Sequence, residues 1–202
     1  MPYLPSPQPV QSPWGVPNDV RELAPGVWSI DTPSHGGIHL SPERNAAMPP
    51  TIRAENAFYE EDCCWAKVAA VHPDAFSTAQ LDLAMKTLLD WEPAAYTLLT
   101  GKPILPGQSR TLDRACFYRD NPDAWVVTSA FGDWAAWVDL GKIGVFARQG
   151  EPGSPRYHAA ERCFLLDAEE YRTNRNPHVG YVVSLQTARP IAPPNNIHAR
   201  RS

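Results

Sequence analysis

Two short stretches hold most of the ionisable chemistry of this chain. Ser34-His35-Gly36-Gly37-Ile38-His39-Leu40-Ser41 sets two histidines around a glycine pair. Tyr59-Glu60-Glu61-Asp62-Cys63-Cys64-Trp65 follows with three carboxylates and two thiols. An imidazole beside a carboxylate is a minimal acid–base pair, because the carboxylate orients the ring and stabilises its charged form. His35, Glu61 and Asp62 are therefore the expected catalytic set. Gly36 and Gly37 carry no side chain to keep an oxyanion or phosphate from the backbone amides. Ser34 or Cys63 would be a nucleophile beside such a base. With His39, these four complete the expected binding residues of the stretch. His35 and His39 have the His-x-x-x-His spacing that converges on zinc when it lies on a helix, but the glycines between them argue for a loop. No third ligand stands at a fixed spacing. No metal ligands and no resident cofactor are therefore expected, a divalent ion being the one to consider. A purely structural use of the same groups is the competing reading. The histidines would then tie the loop to a helix, and Glu61 and Asp62 would pair with Arg44 or Arg53 or cap amides. Gly-Gly would serve a turn with positive φ.

A second stretch, Thr128-Ser129-Ala130-Phe131-Gly132-Asp133-Trp134, is small and polar at the end of a strand-like run. Asp133 and Trp134 are expected to line a binding site, Asp133 as acceptor; the competing reading is a strand-to-turn junction. Trp14, Trp28, Trp91, Trp125, Trp134 and Trp137 either fill a core or serve in part as an interface with a partner protein. Neither stretch holds a phosphate-binding glycine loop, a dinucleotide fingerprint or a nucleophile elbow.

The elements that must position these groups follow from periodicity and punctuation. Residues 20–23 suggest a helical turn stopped by Pro25-Gly26. Val27–Asp31 alternates as a strand, and 34–39 reads as a loop. Ser41 with Pro42 opens a short helix over 41–48. Residues 57–72 read as one helix, with Phe58, Trp65, Val68 and Ala69 on the apolar side. On that helix Glu60 and Lys67 face solvent, while Glu61 and Asp62 flank the apolar stripe. Ser77-Thr78-Ala79-Gln80 is a capping box for a second helix ending near Glu92-Pro93. Residues 94–114 read as mixed and turn-rich. Strands are expected over 115–118, 124–129, 142–148, 162–166 and 179–185, with turn chemistry at 149–155 and a short helix opened by Asp167. The expected fold is α+β, an antiparallel sheet packed by two main helices.

Hydrophobic residues make up 43% of the 202, enough for a core and against global disorder. The 22 prolines cluster at the ends, so 1–19 and 187–202 are expected as Pro-rich tails around a single domain over 20–186. A net charge of −4 argues against sequence-independent nucleic-acid binding. No apolar run spans a membrane, and the N-terminus lacks the pattern of a secretory signal. Four cysteines without a Cys-x-x-Cys pair suggest reduced thiols and a cytoplasmic location.

The order of the motifs resembles an uncharacterised domain-of-unknown-function family carried by bacteria, plasmids and phages. The resemblance runs over roughly 13–185. It rests on Trp14-Gly15, Ser34-His35-Gly36-Gly37, Tyr59-Glu60-Glu61-Asp62-Cys63, Ser129-Ala130-Phe131-Gly132-Asp133-Trp134, Gly144-Val145-Phe146-Ala147 and Ala168-Glu169-Glu170-Tyr171. It implies a cytoplasmic protein in a mobile-element setting and brings no activity with it. Ala135-Ala136 stands where the resemblance leads one to expect a histidine, so this loop supplies none. Two functions follow as expectations. One is an accessory protein of a phage or mobile element that binds a host protein, as an inhibitor of host defence. The other is a small hydrolase-like or metal-dependent enzyme acting on a small molecule. Convergence of His35 with the carboxylates on an open pocket would favour the second.

Overall fold

The alternating Val27–Asp31 run is an inner strand of an N-terminal sheet in the structure, a computed structural model that describes residues 3–176 and 178–200. The chain divides into two compact units, Met1–Ser109 and Arg110–Ser202, and the division falls inside the stretch 20–186 suggested as one domain. Each unit has its own antiparallel four-stranded sheet with helices, so the fold is α+β as expected, with two sheets in place of one.

In the first unit, β1 (Asp19–Ala24), β2 (Val27–Asp31), β3 (Gly36–Leu40) and β4 (Phe58–Glu60) pair in chain order. Three of these correct the sequence reading. Residues 20–23 are a strand, not a helical turn. Pro25-Gly26, with Gly26 at φ 80, reverses the chain in two residues and pairs Ala24 with Val27. Residues 36–40 are a strand, not a loop. The helix expected over 57–72 is only α2 (Trp65–Val71). Ala57 adopts the left-handed backbone at φ 61, and its carbonyl accepts from the Leu40 amide. The following residues then join β3, burying Tyr59, whose hydroxyl donates to Asn45 Oδ1 at 2.7 Å.

Side chains cap two of the helices of this unit. Ser41 Oγ accepts from the Arg44 amide ahead of α1 (Pro42–Ala47), as expected. Ser77 and Gln80 form the complete capping box of α3 (Thr78–Trp91). Residues 94–114 are not turn-rich throughout, because Pro93 starts α4 (Pro93–Thr100) at once, and Gly101 at φ 67 ends it. The core joins Val27, Ile38, Leu40 and Tyr59 of the sheet to Val68 of α2. Ala66, Ala69, Ala84 and Ala95 let the three helices close on Leu88. The N-terminal Pro-rich tail lies along the unit. Ser6 accepts from Trp28 Nε1 at 2.8 Å, and Trp14 meets Phe58 edge-on. Tyr3 lies 3.8 Å from the buried Arg44 guanidinium. Arg44 also grips both oxygens of Asp74 at 2.9 and 2.7 Å and donates from Nε to the Pro25 carbonyl.

The second unit opens with α5 (Arg110–Asp120), which replaces the strand expected over 115–118. Its sheet runs β5 (Trp125–Phe131), β6 (Lys142–Gln149), β7 (Glu161–Asp167), β8 (Arg189–Ile191) in chain order. The helix α6 (Pro155–Ala159), in a region read partly as turn, follows Ser154 as its cap, and α7 (Ala168–Thr173) is capped by Asp167 as expected. Residues 179–185 form no regular strand. They lie beside β5 through Val127 N–Tyr181 O and Val183 N–Trp125 O bonds. Within the C-terminal Pro-rich stretch, β8 pairs with β7, and Trp137 Nε1 donates to the Ile197 carbonyl. Four consecutive residues of β7, Cys163 to Leu166, are buried because both faces of the sheet are covered.

Candidate functional site

His35 stands at the entrance to β3 on a tight turn. Thr32 Oγ1 donates to the His35 carbonyl at 2.6 Å and accepts from the His35 amide at 3.2 Å. Thr32 is itself buried, so the turn is anchored to the unit. Pairing of β3 with β4 sets Gly37 opposite Glu60, and the Glu61 amide donates to the Gly36 carbonyl. The carboxylates of Glu60 and Glu61 are thereby delivered to His35. One ligand atom from each of the three lies within 4.8 Å of the others, a grouping that no other histidines, cysteines and acids reach among the described residues. Atoms bound to one zinc-class ion at ordinary bond lengths stand at most about 4.4 Å apart, so the trio fits such an ion after small side-chain rotations.

Glycine at position 36 is required by this arrangement. A Cβ there would stand 2.6 Å from Glu61 Oε2 and 2.9 Å from the Ile30 carbonyl. At Gly37 it would stand 2.3 Å from the Tyr59 carbonyl and 2.5 Å from the Trp14 ring. Neither residue has positive φ, and both are paired inside the sheet. The Gly-Gly step is thus a place of close approach between strands, not a turn or an amide cradle for an anion.

Glu61 also lines an open cleft of about 360 Å³. Its apolar surface comes from Leu23, Ile38, Trp65, Phe76 and Leu83, between the sheet and the helices α2 and α3. Arg21, Ser29, Asp31 and Gln80 supply polar groups. The trio therefore borders a cavity large enough for a small organic molecule.

The other expected residues are placed differently. Glu60, read as solvent-facing on a helix, is half-buried in β4 and belongs to the trio, and its carboxylate also accepts from the Asp62 amide at 2.9 Å. Asp62 is exposed and outside the trio. His39 is separated from His35 by four residues of extended chain, roughly 13 Å, so the two rings do not share a ligand as they would on a helix. The His39 ring packs 4.5 Å from Phe58, its buried Nδ1 has no hydrogen-bond partner among the described residues, and burial lowers its pKa. Cys63 has its thiol pushed up, first by burial and then by surrounding negative charge from Glu92, Cys64 and the nearby acids. That is the reverse of the shift that activates a nucleophilic thiol. All four cysteines are free. Ser34 is exposed at the turn. Asp133 and Trp134 belong to the second unit, where Asp133 accepts from the Gly141 amide at 3.1 Å and Trp134 packs over Gly132. Sequence reasoning missed Thr32 as an anchor, though Thr-Pro ahead of Ser34 is a turn signal.

Among the described residues, no helix is long and apolar enough to cross a membrane. No curated protein and no solved structure matches the chain. Residues 7–122 match a family over more than half of the chain, from the N-terminal segment through α5. That family is described as Domain of unknown function (DUF7007), and this chain belongs to it.

Proposed function

We propose that the first unit is a hydrolase-like, metal-dependent module acting on a small molecule held in the cleft. The observation that supports it is the meeting of His35, Glu60 and Glu61 beside a cavity that Glu61 also lines. A His nitrogen and two carboxylate oxygens are a ligand set for a zinc-class ion that leaves a coordination position open. A divalent ion in such a set supplies Lewis acidity at neutral pH. Around it, Trp65 and Phe76 would exclude water from the bound molecule, and Arg21 and Gln80 would orient its polar part. Calorimetric titration of the whole protein with Zn²⁺ and with Mn²⁺ tests this reading. One equivalent is expected to bind, weakened at least about tenfold by His35→Ala and by Glu61→Gln. No stoichiometric binding, or binding that ignores both substitutions, would overturn it. These side chains are exposed, so the variants are expected to fold.

The second reading is an accessory protein of a phage or mobile element that binds a host component, as an inhibitor of host defence. It draws on Trp134 in the second unit, which is 48% exposed with the Arg200 guanidinium 5.8 Å from its ring. Exposed tryptophan beside arginine is the usual chemistry of an interface anchor. A host protein captured by the wild type and lost with Trp134→Ala would support this reading. Equal capture by both would count against it.

A further inference from the structure

The second unit contains a small cavity, about 170 Å³, beside α5 and the outer edge of β5. Arg114, Tyr118, Tyr157 and Thr128 are polar residues that line it, and among the described residues no carboxylate does. Arg114 is half-buried. Among the described residues its guanidinium makes no ion pair or hydrogen bond, and it engages only the Tyr118 ring at 5.8 Å. Tyr118 is 93% buried, being 7% exposed, yet its hydroxyl has no hydrogen-bond partner among the described residues. Tyr118 lines the cavity beside Arg114. The Tyr118 hydroxyl is not sealed off from solvent, so it is an available donor, and Arg114 beside it is a cation without an acid partner among the described residues. Burial, partly offset by Arg114, raises the Tyr118 pKa, so the phenol is a donor at neutral pH. Glu151 also acts on Tyr118, but it is exposed and does not line the cavity. Asp113, the acid next to Arg114 in sequence, is taken up by His178 Nδ1 at 2.5 Å. The same pair ties α5 to the chain that carries Val179, an apolar wall of the cavity. Val126 and Val127 add to that wall.

We infer that this cavity is a binding site for a short, branched aliphatic carboxylate, with Arg114 and the Tyr118 hydroxyl holding the carboxylate and the valines holding the alkyl end. The charge calls for an anion, since Arg114 presents several donors to a planar two-oxygen acceptor. The valine wall favours an alkyl group over a fully hydrated oxyanion, and the volume admits only a few heavy atoms. The site lies in the other unit from the His35 trio and does not depend on it.

The test is a titration of the ¹⁵N-labelled full chain with isobutyrate, isobutyramide and inorganic phosphate, followed by amide shifts. Isobutyrate is expected to saturate shifts around residues 114–118 and 126–128. Arg114→Gln should weaken it at least about tenfold, and Tyr118→Phe about three- to tenfold. The neutral amide and phosphate should each bind at least about tenfold more weakly than isobutyrate. The inference is overturned if isobutyrate gives no saturable shift in the wild type. It is equally overturned if a folded Arg114→Gln protein binds isobutyrate unchanged, or if phosphate binds as tightly. Should Arg114→Gln fail to fold, the Tyr118→Phe titration and the amide comparison decide in the same way.

Discussion

Arg44, 1% exposed, shows how one side chain can organise several segments. Its Nε donates to Pro25, its Nη atoms clasp Asp74, and its backbone carbonyl receives His72 Nε2 at 3.1 Å. A carbonyl only accepts, so Nε2 carries the proton. Nδ1 is then an acceptor for Arg44 Nη1 at 3.3 Å, and His72 is neutral. Protonating it would set a second cation against the guanidinium inside the core, and burial, the largest cause, lowers its pKa below 6.5. Above pH 6.5 neither the folded nor the unfolded chain holds this proton. Below it the unfolded chain takes up a proton that the folded chain refuses, so stability falls as pH drops from 6.5 toward the depressed folded value. His39 acts in the same direction for the same reason. Asp74 adds a loss at lower pH: Arg44 holds its carboxyl below 3.8, and the stability it contributes above that value is lost as pH falls through the folded value. Urea unfolding is thus expected to give a lower free energy at pH 5.5 than at 7.5, by up to about 1.4 kcal/mol per pH unit for each ring. Equal or higher stability at pH 5.5 would contradict the neutral assignment.

The decisive element is β3, where glycine lets neighbouring strands and Trp14 close in. Gly37→Ala would press a methyl against the Tyr59 carbonyl, which is backbone held in β4, and against the Trp14 ring. The carbonyl is backbone and does not give way. A loss of about 1–3 kcal/mol is expected, read as a lower urea midpoint at unchanged slope. Ser34→Ala, exposed on the neighbouring turn, serves as a control and should stay within about 0.5 kcal/mol. The Ser77–Gln80 capping box, the Asp167 cap and the Ser41-Pro42 start were legible because those signals act within four residues. The stretch 57–64 was not. Phe58, Trp65 and Ala69 satisfy a helical period, yet Phe58 and Tyr59 also satisfy a strand. Local pattern does not choose between the two when an unpaired edge of β3 is available. That one choice moved Glu60 into the candidate site and Asp62 out of it.

Each unit buries its own core: Val27, Leu40, Tyr59 and Leu88 in the first, Val145, Phe164, Leu166 and Tyr181 in the second. Fragments 1–109 and 110–202, divided at the boundary between the units, are therefore expected to fold separately. Each should give a cooperative thermal transition followed by circular dichroism. A flat, non-cooperative melt for either fragment would show that its core depends on the other. The family match reaches residue 122, past the boundary and through α5, so a third fragment ending there would show whether that helix adds to the first unit.

By itself the sequence determined what local physics determines. The prolines, glycines and capping side chains set where helices and turns begin, alternation set the strand β2, short apolar runs set β6 and β7, and composition provided for an α+β core. It also brought histidine and carboxylates into neighbouring segments. Only the tertiary structure decided which of them meet. Strand pairing aligned Glu60 and Glu61 with His35, extended backbone carried His39 away, and close packing turned Gly36 and Gly37 from a supposed anion cradle into a contact between strands. The physical reason is that hydrogen-bond register and side-chain crowding between strands depend on residues distant in sequence, which no local period encodes.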